Sequence, residues 1–308
     1  MRKLVALLIF CALTIPVLAQ TPAEQTLGLA NGLFDQELWD QALDKYDSFI
    51  KTAGQSANLP FALFRAGECH YNLQRFDKAL PFYQRLTTEF AQAQVYDEAV
   101  YRLGDTSFHL SKLPEAEKAF STLLEKSPKS PLAYRAAYWL GEAQYRLGKY
   151  PEAVAAYEKS LQLSPDGDYA AYAAYSIGLS KFKLGDSKEG ISRLEAILAK
   201  YPKHDLVPEV LYRLGEAQYG VKNYDAALAN YQRVLKDYAG TQLAPLAQSG
   251  IAWSYWNQGK YAEALPVFEQ LRKSDDKTLA QEAGLRVADC LFLLQKYGEA
   301  ATAYGGIA

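Results

Sequence analysis

The sequence predicts an all-α chain of about eight helical hairpins stacked one on the next, a solenoid, and three observations predict it. One local phrase recurs, opened by a small residue at Ala30, Gly67, Gly104, Gly141, Gly178, Gly215, Ala252 and Ala288, in six steps of 37 residues and a last step of 36. A fixed period of 20–50 residues marks an array whose units bury their apolar faces against their neighbours. Within each unit, apolar residues return at three- and four-residue spacing, which is the helical period. Small and large side chains also alternate at fixed offsets from the opening residue, as interdigitating layers require.

The unit from Ala136 to Pro165 shows how a hairpin is written. Ala137, Leu140, Gly141, Gln144 and Tyr145 form the inner stripe of a first helix, and Gly148 breaks it. Lys149 and Tyr150 make the turn, and Pro151 suits the first turn of a second helix. That helix is marked by Ala153, Val154, Tyr157 and Leu161, and Pro165 ends it. Applied along the chain, the pattern predicts repeats at 22–58, 59–93, 94–130, 131–167, 168–204, 205–241, 242–277 and 278–308, the last one incomplete, inside a repeat region spanning 20–308.

The anchor row (Gly67, Gly104, Gly141, Gly178 and Gly215, with alanine in the outer repeats) is expected to face an alanine twelve places later on the second helix. That alanine is Ala79, Ala116, Ala153, Ala227 or Ala264, and the pairing would bring the two backbones close. Sixteen places after the anchor stands a large filler: Tyr46, Tyr83, Phe120, Tyr157, Leu194, Tyr231, Phe268 or Tyr304. Nine places after it stands a mostly aromatic plug, from Trp39 and Phe76 to Tyr261 and Tyr297. The fifth repeat departs most, with Leu179 in place of an acid, Ser187 for the plug, Gly190 for alanine and Leu194 for the aromatic. A change of curvature or a softer joint is expected there.

Leu140-Gly141, Gly148-Lys149-Tyr150, Ala153, Tyr157 and Pro165 together resemble the tetratricopeptide repeat, and the resemblance runs over about residues 22–308. It implies a right-handed α–α superhelix with a concave groove lined by the first helices, and a protein-binding rather than catalytic role. Two departures are the period of 37 and a first-helix aromatic that falls one place late, at Tyr71, Phe108, Tyr145, Phe182, Tyr219, Trp256 and Phe292. Both make the chain similar to bacterial envelope repeat proteins of outer-membrane assembly and of the Tol–Pal division machinery.

The first 19 residues read as a cleaved signal peptide. Arg2 and Lys3 precede an apolar run from Leu4 to Leu13, Pro16 breaks it, and Val17-Leu18-Ala19 offers a cleavage site. The run is too short to span a bilayer comfortably. A periplasmic location follows, with an uncleaved anchor as the alternative. Cys11 lies inside the run behind Phe10, unlike the cysteine of a lipobox. Without the leader the chain has Cys69 and Cys290, six repeats apart and too distant to bond to each other.

Of the 308 residues, 49% are hydrophobic and 22% charged, with a formal net charge of -2. No basic surface is available for nucleic acid. HExxH, phosphate-loop and dinucleotide-binding motifs are missing from the sequence, and His70, His109 and His204 fall in different repeats. The expectation is a scaffold with no enzymatic activity, cofactor or metal.

The candidate groove is a ladder on the first helices, three before, one after and four after each anchor. It comprises Phe64, Tyr101, Tyr138, Tyr175 and Tyr212, the acids Glu68, Asp105, Glu142, Glu216 and Asp289, and the pair Trp253 and Trp256. Four of the acids, Glu68, Asp105, Glu216 and Asp289, stand three places after Arg65, Arg102, Arg213 and Arg286, so salt-bridged surface competes with ligand binding as their role. In chaperone-type repeats the resemblance puts lysine and asparagine at these places to clamp a carboxylate. Tyr, Glu and Asp here favour a basic or an aromatic- and proline-rich peptide. The array ends without a polar capping helix, which suggests a homo-oligomer through that end or the N-terminal part of a longer repeat protein. Alternative readings are a self-associating structural protein and a component of outer-membrane assembly or polysaccharide export.

Overall fold

The structure, a computed structural model, describes residues 21–306. The expected signal peptide at 1–19 lies outside the described residues. Those described form sixteen helices and no strand, in two compact units that divide between Leu110 and Ser111.

The first unit holds α1 (Pro22–Asp35), α2 (Trp39–Thr52), α3 (Leu59–Asn72), α4 (Phe76–Glu89) and α5 (Tyr96–His109). The second holds α6 (Leu113–Lys126), α7 (Ala133–Arg146), α8 (Tyr150–Leu163), α9 (Ala170–Lys183), α10 (Ser187–Lys200), α11 (Val207–Gly220), α12 (Tyr224–Asp237), α13 (Leu243–Asn257), α14 (Tyr261–Leu271), α15 (Lys277–Leu293) and α16 (Tyr297–Gly305). Within each unit every helix packs on the next in sequence. The first helices of successive hairpins also touch, α1 with α3, α7 with α9 and α11 with α13.

The turns between paired helices share one geometry. The residue seven places after the anchor is left-handed in all eight repeats, with φ of 59° at Glu37, 56° at Gln74, 57° at Ser111, 76° at Gly148, 80° at Gly185, 62° at Lys222, 72° at Gly259 and 61° at Gln295. It ends the first helix in a Schellman turn. In the fourth repeat the Lys149 N–H donates to the Gln144 carbonyl at 2.9 Å and the Gly148 N–H to Tyr145 at 3.0 Å. Arg75 to His70, Asp186 to Lys181 and Asn223 to Gln218 repeat the longer bond. Glycine adopts this conformation freely, whereas the five other residues hold it at about 1–2 kcal/mol each. The turn is therefore fixed by packing on both sides of it, and Gly148 is one solution among several.

The anchor glycines face a different partner from the one expected. A Cβ at Gly67 would lie 2.7 Å from the Tyr83 ring, at Gly141 2.6 Å from Tyr157, at Gly178 2.8 Å from Leu194 and at Gly215 2.4 Å from Tyr231. The space left by each glycine is thus filled first by the large residue sixteen places on, and in the fifth repeat the backbone carbonyl of Gly190, twelve places on, lies 3.5 Å away as well. Helical side chains lean toward the N-terminus, so the filler reaches back over the turn that carries the alanine. Ala79, Ala116, Ala153, Ala227 and Ala264 are fully buried. In the fifth repeat, where Gly190 replaces the alanine, a Cβ would lie 2.5 Å from the Phe182 ring, so the alanine row borders the first-helix aromatic.

That aromatic packs edge-on against the plug of its own hairpin. Ring centroids lie 4.8 Å apart for Phe34–Trp39, 5.2 Å for Tyr71–Phe76, 5.3 Å for Tyr145–Tyr150, 5.5 Å for Tyr219–Tyr224 and 5.1 Å for Trp256–Tyr261. In the fifth repeat Ser187 leaves Phe182 without this cover. Both helices of that repeat keep their full 14 residues. The division into units falls in the third repeat.

Cys69 and Cys290 are free and fully buried. Burial pushes both thiols up to about 12, with Glu68 and Asp289 adding to the shift. The reactive thiolate is therefore scarce at neutral pH. Neither cysteine is expected to react with Ellman's reagent at pH 8 until the chain is unfolded in guanidinium, when both should react. Titration of a native thiol at the rate of a free cysteine would contradict this packing.

Candidate functional site

The first helices of the second unit carry a trough made of three adjoining cavities. One of about 230 Å³ lies among α7, α8 and α9 and is lined by Tyr138, Glu142, Tyr145, Tyr157, Tyr172, Tyr175, Ser176, Leu179 and Leu206. The next, about 560 Å³, shares Tyr145 and Leu179 with it and adds Phe182, Ser187, Arg213, Glu216 and Val221. A third, also about 560 Å³, shares Glu216 and continues through Tyr212, Tyr219, Tyr231, Leu246 and Gly250 to Trp253.

Of the ladder read from the sequence, Tyr138, Glu142, Tyr175, Tyr212, Glu216 and Trp253 line this trough. Phe64 and Tyr101 belong to the first unit, where Phe64 rests on the Tyr83 ring at 6.1 Å. Trp256 turns into the packing, 5.1 Å from Tyr261 and 6.2 Å from Phe268, and borders none of the three cavities. The fifth repeat opens the middle of the trough. Leu179 removes an acid, and Ser187 leaves open the space an aromatic plug fills elsewhere.

The acids are locked from below, a role the sequence reading did not assign. The filler hydroxyl donates to the residue one after the anchor of its own hairpin: Tyr46 to Asn31 at 2.7 Å, Tyr83 to Glu68 at 2.5 Å, Tyr157 to Glu142 at 2.7 Å and Tyr304 to Asp289 at 2.6 Å. Burial, then the adjacent carboxylates, raise the phenol pKa values of Tyr83 and Tyr157. A charge-assisted bond of this kind contributes about 1.5–3 kcal/mol. The signal was in the sequence: Leu194 accompanies Leu179 and Phe268 accompanies Trp253, so where the hydroxyl is lost the acid is lost too. Two repeats depart from the rule: Tyr231 does not bond Glu216, which accepts from Tyr212 at 3.1 Å, and Phe120 has no hydroxyl. Its repeat keeps Asp105, which instead accepts from Tyr71 of the preceding repeat at 2.7 Å.

The arginines pair with the acids in part as expected. Arg213 reaches Glu216 at 2.8 Å, Arg286 reaches Asp289 at 2.7 Å and Arg102 reaches Asp105 at 3.4 Å. The expected Arg65–Glu68 pair is replaced. Arg102, one repeat on, holds Glu68 at 2.9 Å, and the Arg65 guanidinium lies 4.0 Å over the Phe34 ring. Trading a half-exposed ion pair for a cation–π contact is nearly neutral in energy. In the trough itself, Arg213 bonds Glu209 at 2.9 Å as well as Glu216, and Tyr175 donates to Glu209 at 3.2 Å. Burial and Glu216 push the Tyr212 phenol up to about 12. Among the described residues, no group of three or more His, Cys, Asp or Glu is placed to hold a metal ion.

The sequence profile of the tetratricopeptide repeat matches residues 27–94, 101–168, 175–247 and 249–305, well over half of the chain. The chain belongs to the tetratricopeptide repeat family. No curated protein matches it. Among solved structures, a tetratricopeptide repeat protein from Parabacteroides merdae is similar, with 12% identity and a TM-score of 0.57 over 88% of this chain and 98% of that one. The apo form of RapI gives a TM-score of 0.60 at 12% identity, over 89% and 84% of the two chains. YrrB, described as a tetratricopeptide repeat protein with an unusual peptide-binding site, gives 0.53 at 18% identity, over 65% of this chain and 96% of its own. At these identities the likeness is one of fold. Tetratricopeptide repeat proteins bind protein or peptide partners and are typically non-catalytic scaffolds.

Proposed function

We propose that this tetratricopeptide repeat protein is an exported scaffold of the cell envelope that captures an extended segment of another protein in the α7–α13 trough and performs no chemistry of its own. The observation that carries the reading is the run of three adjoining cavities, each sharing lining residues with the next, across the successive first helices α7 to α13. Aromatic rings dominate the lining of the two outer cavities, and the middle one adds the charged groups Lys183, Arg213 and Glu216, a combination of apolar surface and placed polar groups usual in recognition sites. The segment is aromatic or basic, because the unpaired Glu142 would repel a terminal carboxylate. Export rests on the pattern of Arg2, Lys3, the apolar run and Ala19, and the periplasm is the compartment it favours. Envelope assembly, division-linked constriction and polysaccharide export remain the processes the family resemblance points to.

Trp253 is the strongest anchor by residue type, since tryptophan dominates interface hot spots. Trp253→Ala is expected to weaken capture of the partner from an envelope extract by roughly 30-fold, equivalent to about 2 kcal/mol, with the helical circular-dichroism signal unchanged. Undiminished capture would remove this site. Fusion of the first 30 residues to a reporter active only outside the cytoplasm tests export separately.

A further inference from the structure

Glu142 differs from the other groove acids. Asp105, Glu216 and Asp289 are each held by the arginine three places before them, and Glu68 by Arg102. At the corresponding place before Glu142 stands Trp139. One of its carboxylate oxygens, Oε1, accepts from Tyr157 at 2.7 Å and from Ser176 Oγ at 3.0 Å, and no cation pairs with Glu142 among the described residues. Of the two cations lining the adjoining cavity, Arg213 is engaged by Glu209 and Glu216, and Lys183 forms no ion pair with Glu142. A half-buried carboxylate with fixed neighbours and no counter-charge attracts a cation more strongly than one in water.

Its surroundings suit a cation of a particular kind. The cavity of about 230 Å³ beside Glu142 is lined by five tyrosines, Tyr138, Tyr145, Tyr157, Tyr172 and Tyr175. Aromatic rings around a charged head and an aliphatic stem stabilise both, through the ring quadrupole and through apolar contact.

We propose that this cavity is a subsite for a lysine or arginine side chain of the bound polypeptide, with Glu142 as its counter-ion. The proposal rests on the trough being the peptide site. The neighbouring fifth-repeat cavity, where Leu179, Phe182 and Val221 stand beside Lys183, Arg213 and Glu216, then receives the residue next to the basic one.

The test uses peptides selected from a displayed random library on the full chain, each then synthesised with its basic residue intact or replaced by norleucine. Binding is measured to the native protein, Glu142→Gln and Tyr172→Ala. Glutamine keeps an acceptor for Tyr157 and Ser176, and Tyr172 is 39% exposed, so both variants are expected to melt close to the native temperature. The expected result is a shared basic position, a loss of about tenfold on norleucine replacement with the native protein, and no such loss with Glu142→Gln. Tyr172→Ala should weaken the basic peptide several-fold and leave the norleucine peptide unaffected. Peptides that lose affinity with Trp253→Ala but show no basic preference, or lose as much on norleucine replacement with Glu142→Gln as with the native protein, would overturn the subsite and leave the trough standing. Failure of the library to yield any peptide sensitive to Trp253→Ala would overturn both.

Discussion

Tyr83→Ala is expected to destabilise the first unit by about 3–5 kcal/mol, the range for removing a buried aromatic ring. Tyr83 is fully buried, its ring fills the space left by Gly67, and its hydroxyl is bound to Glu68. Truncation opens a cavity between α3 and α4 and removes one of two groups that hold the Glu68 carboxylate. Urea unfolding monitored by circular dichroism would show the loss. Hydrogen exchange would place it in residues 59–89, because repeat units gain stability mainly from adjacent units. Tyr83→Phe separates the two contributions: the ring stays, the donor goes, and the cost falls to about 1–2 kcal/mol because Arg102 still neutralises Glu68. Equal costs for the two variants would mean that the ring contributes nothing, contrary to the packing described.

Gly141→Leu tests the opposite error. A Cβ at Gly141 would lie 2.6 Å from the Tyr157 ring, and that ring is fully buried and tied to Glu142. The ring cannot turn aside without breaking that bond, so the helices must part. Overpacking of this kind costs about 1–3 kcal/mol, and here the upper end is expected. The double variant Gly141→Leu with Tyr157→Ala should recover part of the loss, since the new side chain then occupies the vacated volume. A coupling of about 0.5–3 kcal/mol is the range for residues in contact. Strict additivity, or an unchanged melting curve for Gly141→Leu, would show that the glycine does not face this ring.

Much of the helical order could be read in advance because it depends on local features. Gly148 and Pro151 bracket a turn, and the apolar spacing through Ala137, Leu140 and Tyr157 requires helices on either side of it. The partner of Gly141 was misjudged because spacing gives only the face on which a residue lies. It does not give the lean of a side chain along its own helix, and that lean brings the Tyr157 ring onto the glycine. Five of the turn residues, such as Gln74 and Lys222, carried no glycine signal, since the surrounding contacts impose a left-handed backbone on them. In the trough, Tyr138, Tyr175, Tyr212 and Trp253 were found by offset alone. Trp256 shares their stripe by spacing, yet it lies behind it, packed edge-on against the plug Tyr261 at 5.1 Å. Tyr172 was missed because it lies six places before its anchor, outside the three rows considered.

The bond between filler hydroxyl and groove acid begins and ends inside one hairpin. A duplication event that copies residues from the start of a first helix to the end of the following second helix therefore transmits donor and acceptor together. One that starts midway would strand a phenol in one copy and a carboxylate in the other. Lengthening of such a chain during descent is thus biased toward one reading frame of its period, and grafts between related arrays should follow the same frame.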